Sequence, residues 1–215
     1  MKTTFQKAVW LTLIVAVSLI LLAVILGVLN GTVGKGQWQI GIQTYRYEAE
    51  ATDAGGGTVY ATELRALDVD WINGDVEIYV TDDDRYVSVT EVSEEEISAK
   101  AELRRWMDAE GRLVIKCRES GSYLPSSMPQ KKLILRIPRE MMASLEEVLI
   151  STVKGNVTVF FPEDVGFSAE LKTGSGQVLS DFDLDTSNGA AVYGDGGISI
   201  SVTARRGELR LRRAD

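Results

Sequence analysis

The chain has 215 residues, one cysteine, no histidine and a formal net charge of -8 at pH 7. The missing histidines exclude His-assisted catalytic triads and His-ligated zinc or haem, and the lone cysteine excludes an internal disulfide. The acidic balance argues against a nucleic-acid-binding protein, because affinity for a phosphate backbone comes mainly from Lys and Arg.

The first predicted element is a membrane-spanning helix. Residues 8–29 contain no charged side chain and are rich in Leu, Ile and Val. At about 1.5 Å per residue, a helix of this length covers roughly 33 Å, which is enough for the hydrocarbon core of a bilayer. Two alternatives fit less well. A cleaved signal peptide has a shorter apolar core and a small-residue cleavage site, and a helix buried in the core of a small domain keeps one polar face, whereas residues 8–29 are apolar on all faces. We therefore expect an uncleaved, single-pass signal anchor.

The charges around this helix predict its orientation. Lys2 and Lys7 precede it, whereas only Lys35 lies close behind it. The positive-inside rule then places residues 1–7 in the cytoplasm as a short tail and the rest of the chain outside the cell membrane.

The exterior part is predicted to begin with a Gly-containing tether at residues 30–37, followed by an extracytoplasmic domain at residues 38–215. Removing residues 1–35 removes three lysines and no acid, which leaves 31 acidic against 20 basic residues and a net charge of -11. The exterior domain is therefore strongly hydrophilic.

Apolar and polar residues alternate throughout the exterior domain. This period of two is typical of β-strands that have one buried face and one solvent-exposed face. The pattern predicts an all-β domain, with one short helical turn between Pro138 and Leu145 and with Cys117 as a buried thiol. The alternating apolar sets are Leu67, Val69 and Trp71; Val76, Ile78 and Val80; Leu113, Ile115 and Cys117; Leu133, Leu135 and Ile137; Val157, Val159 and Phe161; Ile198, Ile200 and Val202; Leu209 and Leu211.

A repeat of the form apolar-x-small-x-x-Gly-x-apolar recurs in this domain. Glycine suits a tight corner between two strands, since it tolerates positive φ and close approach of another backbone. The repeat predicts stacked coils, as in a β-solenoid of the parallel β-helix type. The glycines are unevenly spaced, so a β-sandwich built from hairpins is the alternative. The predicted structural corners are Gly74, Gly155, Gly176, Gly189 and Gly207.

Together these features resemble a bacterial family of unknown function. The N-terminal anchor, the stretch 67–78, the strand 131–138 and the Ser/Thr-x-x-Gly-x-Val corners resemble the membrane-anchored "putative adhesin" family of β-strand-repeat domains. The resemblance covers residues 60–212. It implies a β-solenoid-like fold and a place in the cell envelope, and it supplies no catalytic residues.

Two charged clusters are candidate partner-binding sites. Acidic residues on two consecutive strands are predicted to form one outward face, which either keeps the domain soluble and protects strand edges or docks a basic partner. The basic cluster near the C-terminus either protects a terminal sheet edge or binds an anionic wall polymer or lipid headgroups. The acidic set is Asp68, Asp70, Asp75 and Glu77, and the basic set is Arg205, Arg206, Arg210 and Arg212.

The run Asp82, Asp83 and Asp84 is a candidate calcium site, because clustered carboxylates suit a hard cation. Calcium loops space their ligands along the chain, whereas consecutive side chains diverge, so a polar hairpin loop is the preferred interpretation. We expect no metal and no cofactor.

The sequence thus predicts a non-enzymatic interaction or envelope-sensing module anchored in the membrane. Its expected partners are the membrane itself and a cell-wall polymer or a membrane protein, and not nucleic acid. The first alternative is an assembly or regulatory subunit that docks on a membrane stress-response partner, because so short a tail cannot signal alone. A remote alternative is an envelope hydrolase that uses paired carboxylates.

Overall fold

The computed structural model describes residues 42–47, 53–60, 63–82, 85–185 and 190–214. The predicted tail, membrane helix and tether therefore lie outside the described residues, as do the predicted corner Gly189 and the acids Asp83 and Asp84. Among the residues described, no helix combines the length and the apolar character needed to span a bilayer.

The described residues form strands joined by turns and two short 3₁₀ segments, at Pro125–Ser127 and Arg139–Ser144. The second segment confirms the predicted helical turn. The strands are β1 (Gln43–Tyr45), β2 (Asp53–Ala54), β3 (Gly57–Val59), β4 (Ala66–Asn73), β5 (Val76–Thr81), β6 (Val87–Ser93), β7 (Arg104–Met107), β8 (Arg112–Lys116), β9 (Gly121–Tyr123), β10 (Lys131–Pro138), β11 (Glu147–Lys154), β12 (Val157–Phe161), β13 (Phe167–Thr173), β14 (Val178–Ser180), β15 (Ala191–Tyr193), β16 (Ile198–Ala204) and β17 (Leu209–Arg213).

These residues fall into two compact units. In the smaller unit, which contains residues 42–47 and 120–128, β1 and β9 pair antiparallel and Tyr45 packs edge-on against Tyr123 with ring centroids 6.5 Å apart. The larger unit contains the remaining strands.

Two mixed sheets build the larger unit. One has the order β14-β17-β12-β5-β10-β6-β3, and the other has the order β15-β13-β16-β11-β4-β8-β7-β2. In each, the central strands are parallel and antiparallel strands complete at least one end. The all-β prediction is therefore confirmed.

The core lies between the two sheets. Alternate side chains of each sheet point inward and are buried, including the sets that the alternation predicted on β4, β5, β8, β10, β12, β16 and β17, although Val80 is only half-buried. Phe161 of β12 stacks on Phe167 of β13 with ring centroids 5.2 Å apart, and the Trp71 indole N–H of β4 donates to the Lys131 carbonyl of β10 at 3.0 Å. The two sheets therefore pack face to face.

Four glycine corners carry the chain from one sheet to the other. They follow β4, β11, β13 and β16, and their backbones stack in the spatial order Gly74, Gly155, Gly207 and Gly176. Hydrogen bonds join each corner to the next, for example from the Gly155 amide to the Arg206 carbonyl at 2.9 Å. The predicted corner residues Gly74, Gly155, Gly176 and Gly207 all lie at these turns with positive φ.

A β-solenoid is not what the structure shows. In a solenoid each coil stacks on its neighbour in sequence, whereas here the corner at Gly207 lies between those at Gly155 and Gly176. The strands added antiparallel at the sheet ends also interrupt any regular coil. The two packed sheets are closer to the β-sandwich alternative, although glycine corners as well as hairpins join them.

Candidate functional site

The outer surface of the first sheet carries the candidate site. Its strands β17, β12, β5, β10, β6 and β3 alternate buried residues with outward ones. The register brings outward residues from strands that are distant in sequence into neighbouring positions. We call this surface the aromatic face; it comprises Thr58, Tyr60, Glu77, Tyr79, Tyr86, Ser88, Ile134, Arg136, Phe160 and Arg212.

A stacked pair of aromatic rings lies at the centre of the aromatic face. Tyr79 of β5 and Phe160 of β12 are direct register partners, and both side chains are half-buried. Their ring centroids are 4.5 Å apart and their planes differ by 8°. Such a pair adds favourable contact energy and leaves the ring edges facing solvent.

Arg136 lies on the other side of Tyr79. It is the β10 register partner of Tyr79, and its guanidinium carbon is 6.0 Å from the centre of the Tyr79 ring. The side chain is exposed, and no carboxylate of the described residues forms an ion pair with it. Cation–π contact restricts the guanidinium while its hydrogen-bonding edge stays available to a ligand.

A second aromatic pair lies where β3 ends and β6 begins. Val59 and Val87 are register partners with buried side chains, so the adjacent Tyr60 and Tyr86 both point outward. Their rings meet edge to face with centroids 4.7 Å apart. Tyr60 is 77% exposed and Tyr86 is 46% exposed, which is unusual for large aromatic side chains.

Charge pairs surround the stacked rings. Glu77 accepts a hydrogen bond from the Tyr79 hydroxyl at 2.8 Å and forms an ion pair with Lys132 at 2.7 Å. Partial burial raises the pKa of the Tyr79 hydroxyl above its ordinary value of 10.0, and the hydrogen bond and negative charge of Glu77 raise it further. Arg212 pairs with Asp181 at 2.6 Å. Arg136 is therefore the uncompensated cation among the described residues of this surface.

The structure does not bring the four predicted acidic residues together. Asp68 and Asp70 point outward from β4, whereas Glu77 points outward from β5 in the opposite sheet. The predicted single acidic face is therefore wrong, because the glycine corner between β4 and β5 directs the two strands to opposite surfaces. Asp68 pairs with Lys116 at 3.2 Å, and the Asp75 carboxylate accepts a hydrogen bond from the backbone N–H of Asn156 at 2.8 Å.

The C-terminal arginines are also divided. Arg205 and Arg206 are exposed at the last corner, whereas Arg210 and Arg212 point outward from β17. Arg210 pairs with Glu208. The expectation that these arginines protect a terminal edge is wrong, because β17 lies between β12 and β14. Their role in partner binding, like that of the acidic residues, stays a prediction.

A buried polar cluster lies beside the first corner. The Lys131 ammonium donates to the carbonyl oxygens of Ala101 and Cys117 at 2.5 Å each and contacts a Glu91 carboxylate oxygen at 2.5 Å. It also lies 4.9 Å from the centre of the Trp71 ring. The Cys117 thiol is buried as predicted, and burial raises its pKa. Such a satisfied, enclosed cluster is structural rather than accessible to a ligand.

Asp82, the described residue of the aspartate run, forms an ion pair with Arg139. Asp82 lies 3.6 Å from Arg139, which also contacts Asp164 at 2.5 Å. The hydrogen bond from Arg139 lowers the pKa of the Asp164 carboxyl.

Sequence reasoning missed most of the aromatic face. It concentrated on charged clusters and did not single out Tyr60, Tyr79, Tyr86, Arg136 or Phe160. A signal was present, since Tyr79 and Phe160 occupy the outward phase of strands whose inward phase is apolar. An aromatic residue where alternation calls for a polar one indicates either a cross-strand pair or a binding surface.

Comparisons with known proteins add little to this geometry. No protein-family model matches the chain, and no curated protein does. The family that the motifs resemble is therefore not shown. A solved structure described as a "putative cell adhesion protein" from Clostridium sporogenes ATCC 15579 is similar over 76% of this chain and 100% of that chain, with 12% identity and a TM-score of 0.40. A likeness of this size does not establish a shared fold.

Proposed function

We propose that the chain is a non-enzymatic interaction module, displayed outside the cell membrane, that binds an envelope component through the aromatic face. In this proposal residues 8–29 are the anchor and the β domain is the display unit. The observation that carries it is the exposed Tyr60–Tyr86 pair beside a second aromatic pair and Arg136, which has no carboxylate partner among the described residues.

The composition of the aromatic face supports binding. Tyr and Arg are enriched where proteins contact partners, because they offer large contact area together with a polar end. Val92, at the other end of β6 and 47% exposed, is a further outward apolar side chain of the same sheet. Solvent exposure of several large side chains on one face is costly without a partner and marks interaction sites.

The open outer surface of a sheet suits an extended partner. The two aromatic pairs and Arg136 of the aromatic face span five neighbouring strands, from β12 to β3. Neighbouring strands are about 4.8 Å apart, so the face measures roughly 19 Å across them. A partner of that length would contact both aromatic pairs at once, whereas a small metabolite would contact one.

Retention on envelope material tests this function. The full chain, purified in detergent, is mixed with insoluble cell-envelope material from the source organism, and the fraction that sediments is measured. We expect the double substitution Tyr60→Ser and Tyr86→Ser to lower the sedimented fraction at least fivefold. Lys172→Gln, an exposed change on the outer surface of the other sheet, serves as the control and should sediment like the unmodified chain.

Equal sedimentation of the double variant and the unmodified chain would exclude the aromatic face as the binding site. Anchoring is tested separately by washing native membranes at alkaline pH. Release of the chain by that wash would contradict an anchor at residues 8–29.

A further inference from the structure

We infer that the smaller unit docks on the phospholipid surface of the membrane, with the exposed side chains of Ile42 and Leu124 inserted at the lipid interface. This inference rests on the proposed anchor at residues 8–29 and adds a second membrane contact that is separate from the aromatic face. It follows from the distribution of charge, two exposed aliphatic side chains and the short segment that follows the anchor.

Acidic residues are missing from the part of the chain that forms the smaller unit. Neither residues 1–47 nor residues 120–128 contain any of the 31 acidic residues of the chain. The charged side chains of these two ranges are all basic: Lys2, Lys7, Lys35 and Arg46. With 23 basic residues in the whole chain, the rest holds 31 acids against 19 bases, a net charge of -12. Binding at a lipid interface gains from apolar contact and is opposed by the desolvation of carboxylates. The smaller unit is therefore the part of this acidic chain that suits a bilayer surface.

Two exposed aliphatic side chains lie at one end of the ribbon that β1 and β9 form. Gln43 and Tyr123 are register partners, so Ile42, which precedes one, and Leu124, which follows the other, lie at the same end. Ile42 is 44% exposed and Leu124 is 46% exposed. This is also the end at which the chain enters the ribbon from the proposed anchor, so the apolar contact is placed where the membrane is nearest along the chain.

Tyrosine side chains occupy alternate positions of the same ribbon. Tyr45 packs edge-on against both Tyr47 and Tyr123, with ring centroids 5.8 and 6.5 Å apart, and all three side chains are half-buried. Tyrosine is enriched at membrane–water interfaces because its ring is apolar and its hydroxyl is polar. Among the described residues no third strand pairs with β1 or β9, and a two-stranded ribbon by itself is marginally stable in water. Contact with lipid would therefore stabilise the ribbon.

The segment between the proposed anchor and the ribbon limits how far apart they can lie. Residues 30–41 span at most roughly 43 Å even when fully extended. Tethering within that distance keeps the local concentration of lipid high, so a weak affinity for the interface is enough to keep the unit bound. Two aliphatic side chains and a few tyrosines, which would not hold a free protein on a membrane, can therefore hold a tethered one.

Fluorescence quenching in phosphatidylcholine nanodiscs tests the inference on the full chain. An environment-sensitive dye is attached at Ser122→Cys, an exposed position of the ribbon, while the lone native cysteine, Cys117, is buried and thus protected from the reagent. A nitroxide on the lipid headgroup quenches the dye only at short range. We expect nitroxide lipid to lower the emission at least twofold, and Ile42→Ser combined with Leu124→Ser to abolish this quenching.

Two control variants carry the same dye. Ile42→Leu combined with Leu124→Ile keeps the apolar surface and should keep the quenching. Tyr60→Ser combined with Tyr86→Ser changes only the aromatic face and should also keep it, although the proposed function predicts that this variant loses envelope retention.

The outcomes separate the lipid contact from the proposed function. Absence of quenching in a chain that co-purifies with the nanodiscs, or equal quenching in the unmodified chain and the serine variant of Ile42 and Leu124, would overturn the lipid contact and leave the anchor in place. Failure of the chain to enter the nanodiscs would contradict the anchor and the inference together.

Discussion

Gly155 packs directly against the backbone of Gly74. A Cβ at Gly155 would lie 1.9 Å from the Gly74 carbonyl oxygen, and the φ of Gly155 is +145°. The same contact recurs between Gly207 and Gly155, where the distance would be 2.0 Å, and between Gly176 and Gly207, where it would be 2.1 Å. The column of corners therefore admits no side chain at these positions.

The first prediction concerns this column. Gly155→Ala should lower the free energy of unfolding by at least about 3 kcal/mol, because a backbone carbonyl cannot move aside and positive φ strains alanine. Gly55→Ala is the matched control, since Gly55 has a φ of +71° and no atom of the described residues lies within 4 Å of the added Cβ. It should cost only about 1 kcal/mol. Urea denaturation of the two variants measures the difference, and equal losses would contradict the packing argument.

The second prediction concerns the buried ion pair of Lys131 and Glu91, whose side chains are 0% and 5% exposed. Glu91→Gln should lower the free energy of unfolding by about 3–5 kcal/mol, because it leaves a buried ammonium without its counter-charge. Adding Lys131→Met should cost less in this background than in the unmodified chain, since the charge is then already unpaired. Strict additivity of the two losses in a double-mutant cycle would show that the pair is not coupled.

The third prediction concerns the ionisation of Tyr79. Its pKa is raised, so the folded state holds the phenol proton more tightly than the unfolded state does. This contribution to stability is present below the ordinary pKa of 10.0 and is lost as pH rises through the folded value. Stability should therefore fall on the alkaline side, and Glu77→Gln should lower the Tyr79 pKa without fully restoring it, because burial is the larger cause.

Ultraviolet absorbance of the phenolate measures this ionisation. Subtracting the titration curve of Tyr79→Phe from that of the unmodified chain isolates Tyr79 from the other tyrosines. An unchanged Tyr79 midpoint in the Glu77→Gln variant would contradict the negative charge of Glu77 as a cause of the shift.

The fourth prediction concerns Thr152. Its side chain is 1% exposed, and its hydroxyl has no hydrogen-bond partner among the described residues. Thr152→Val should raise the free energy of unfolding by about 1 kcal/mol, because it removes an unsatisfied buried polar group and retains the branched shape. Ser151→Ala, an exposed change next to it, should alter stability by less than about 0.5 kcal/mol. A loss of stability in Thr152→Val would indicate a buried partner for the hydroxyl.

Alternation in the sequence identified the strands because the backbone points successive side chains to opposite faces. Leu67, Val69 and Trp71 on β4 are buried for this reason, and their phase is readable from the sequence alone. The corners at Gly74 and Gly155 were equally readable, since glycine is required where backbones meet.

The order of strands in the sheets was not readable from the sequence. The corner at Gly207 lies between those at Gly155 and Gly176, although it follows both in the chain. All four corners have similar local sequences, so the local sequence does not determine which corners stack on one another. That arrangement depends on the long-range packing of the core. The same choice placed Asp68 and Glu77 on opposite surfaces and divided the predicted acidic face.

The sequence by itself thus determined the strand positions, their buried phases and the glycine corners, because these depend on the geometry of a single chain segment. Only the tertiary structure decided which strands became neighbours. That decision assembled Tyr60, Tyr79, Tyr86, Arg136 and Phe160 from four separate regions of the chain into one surface. A binding face of this kind is a product of register between distant strands, and no local pattern encodes it.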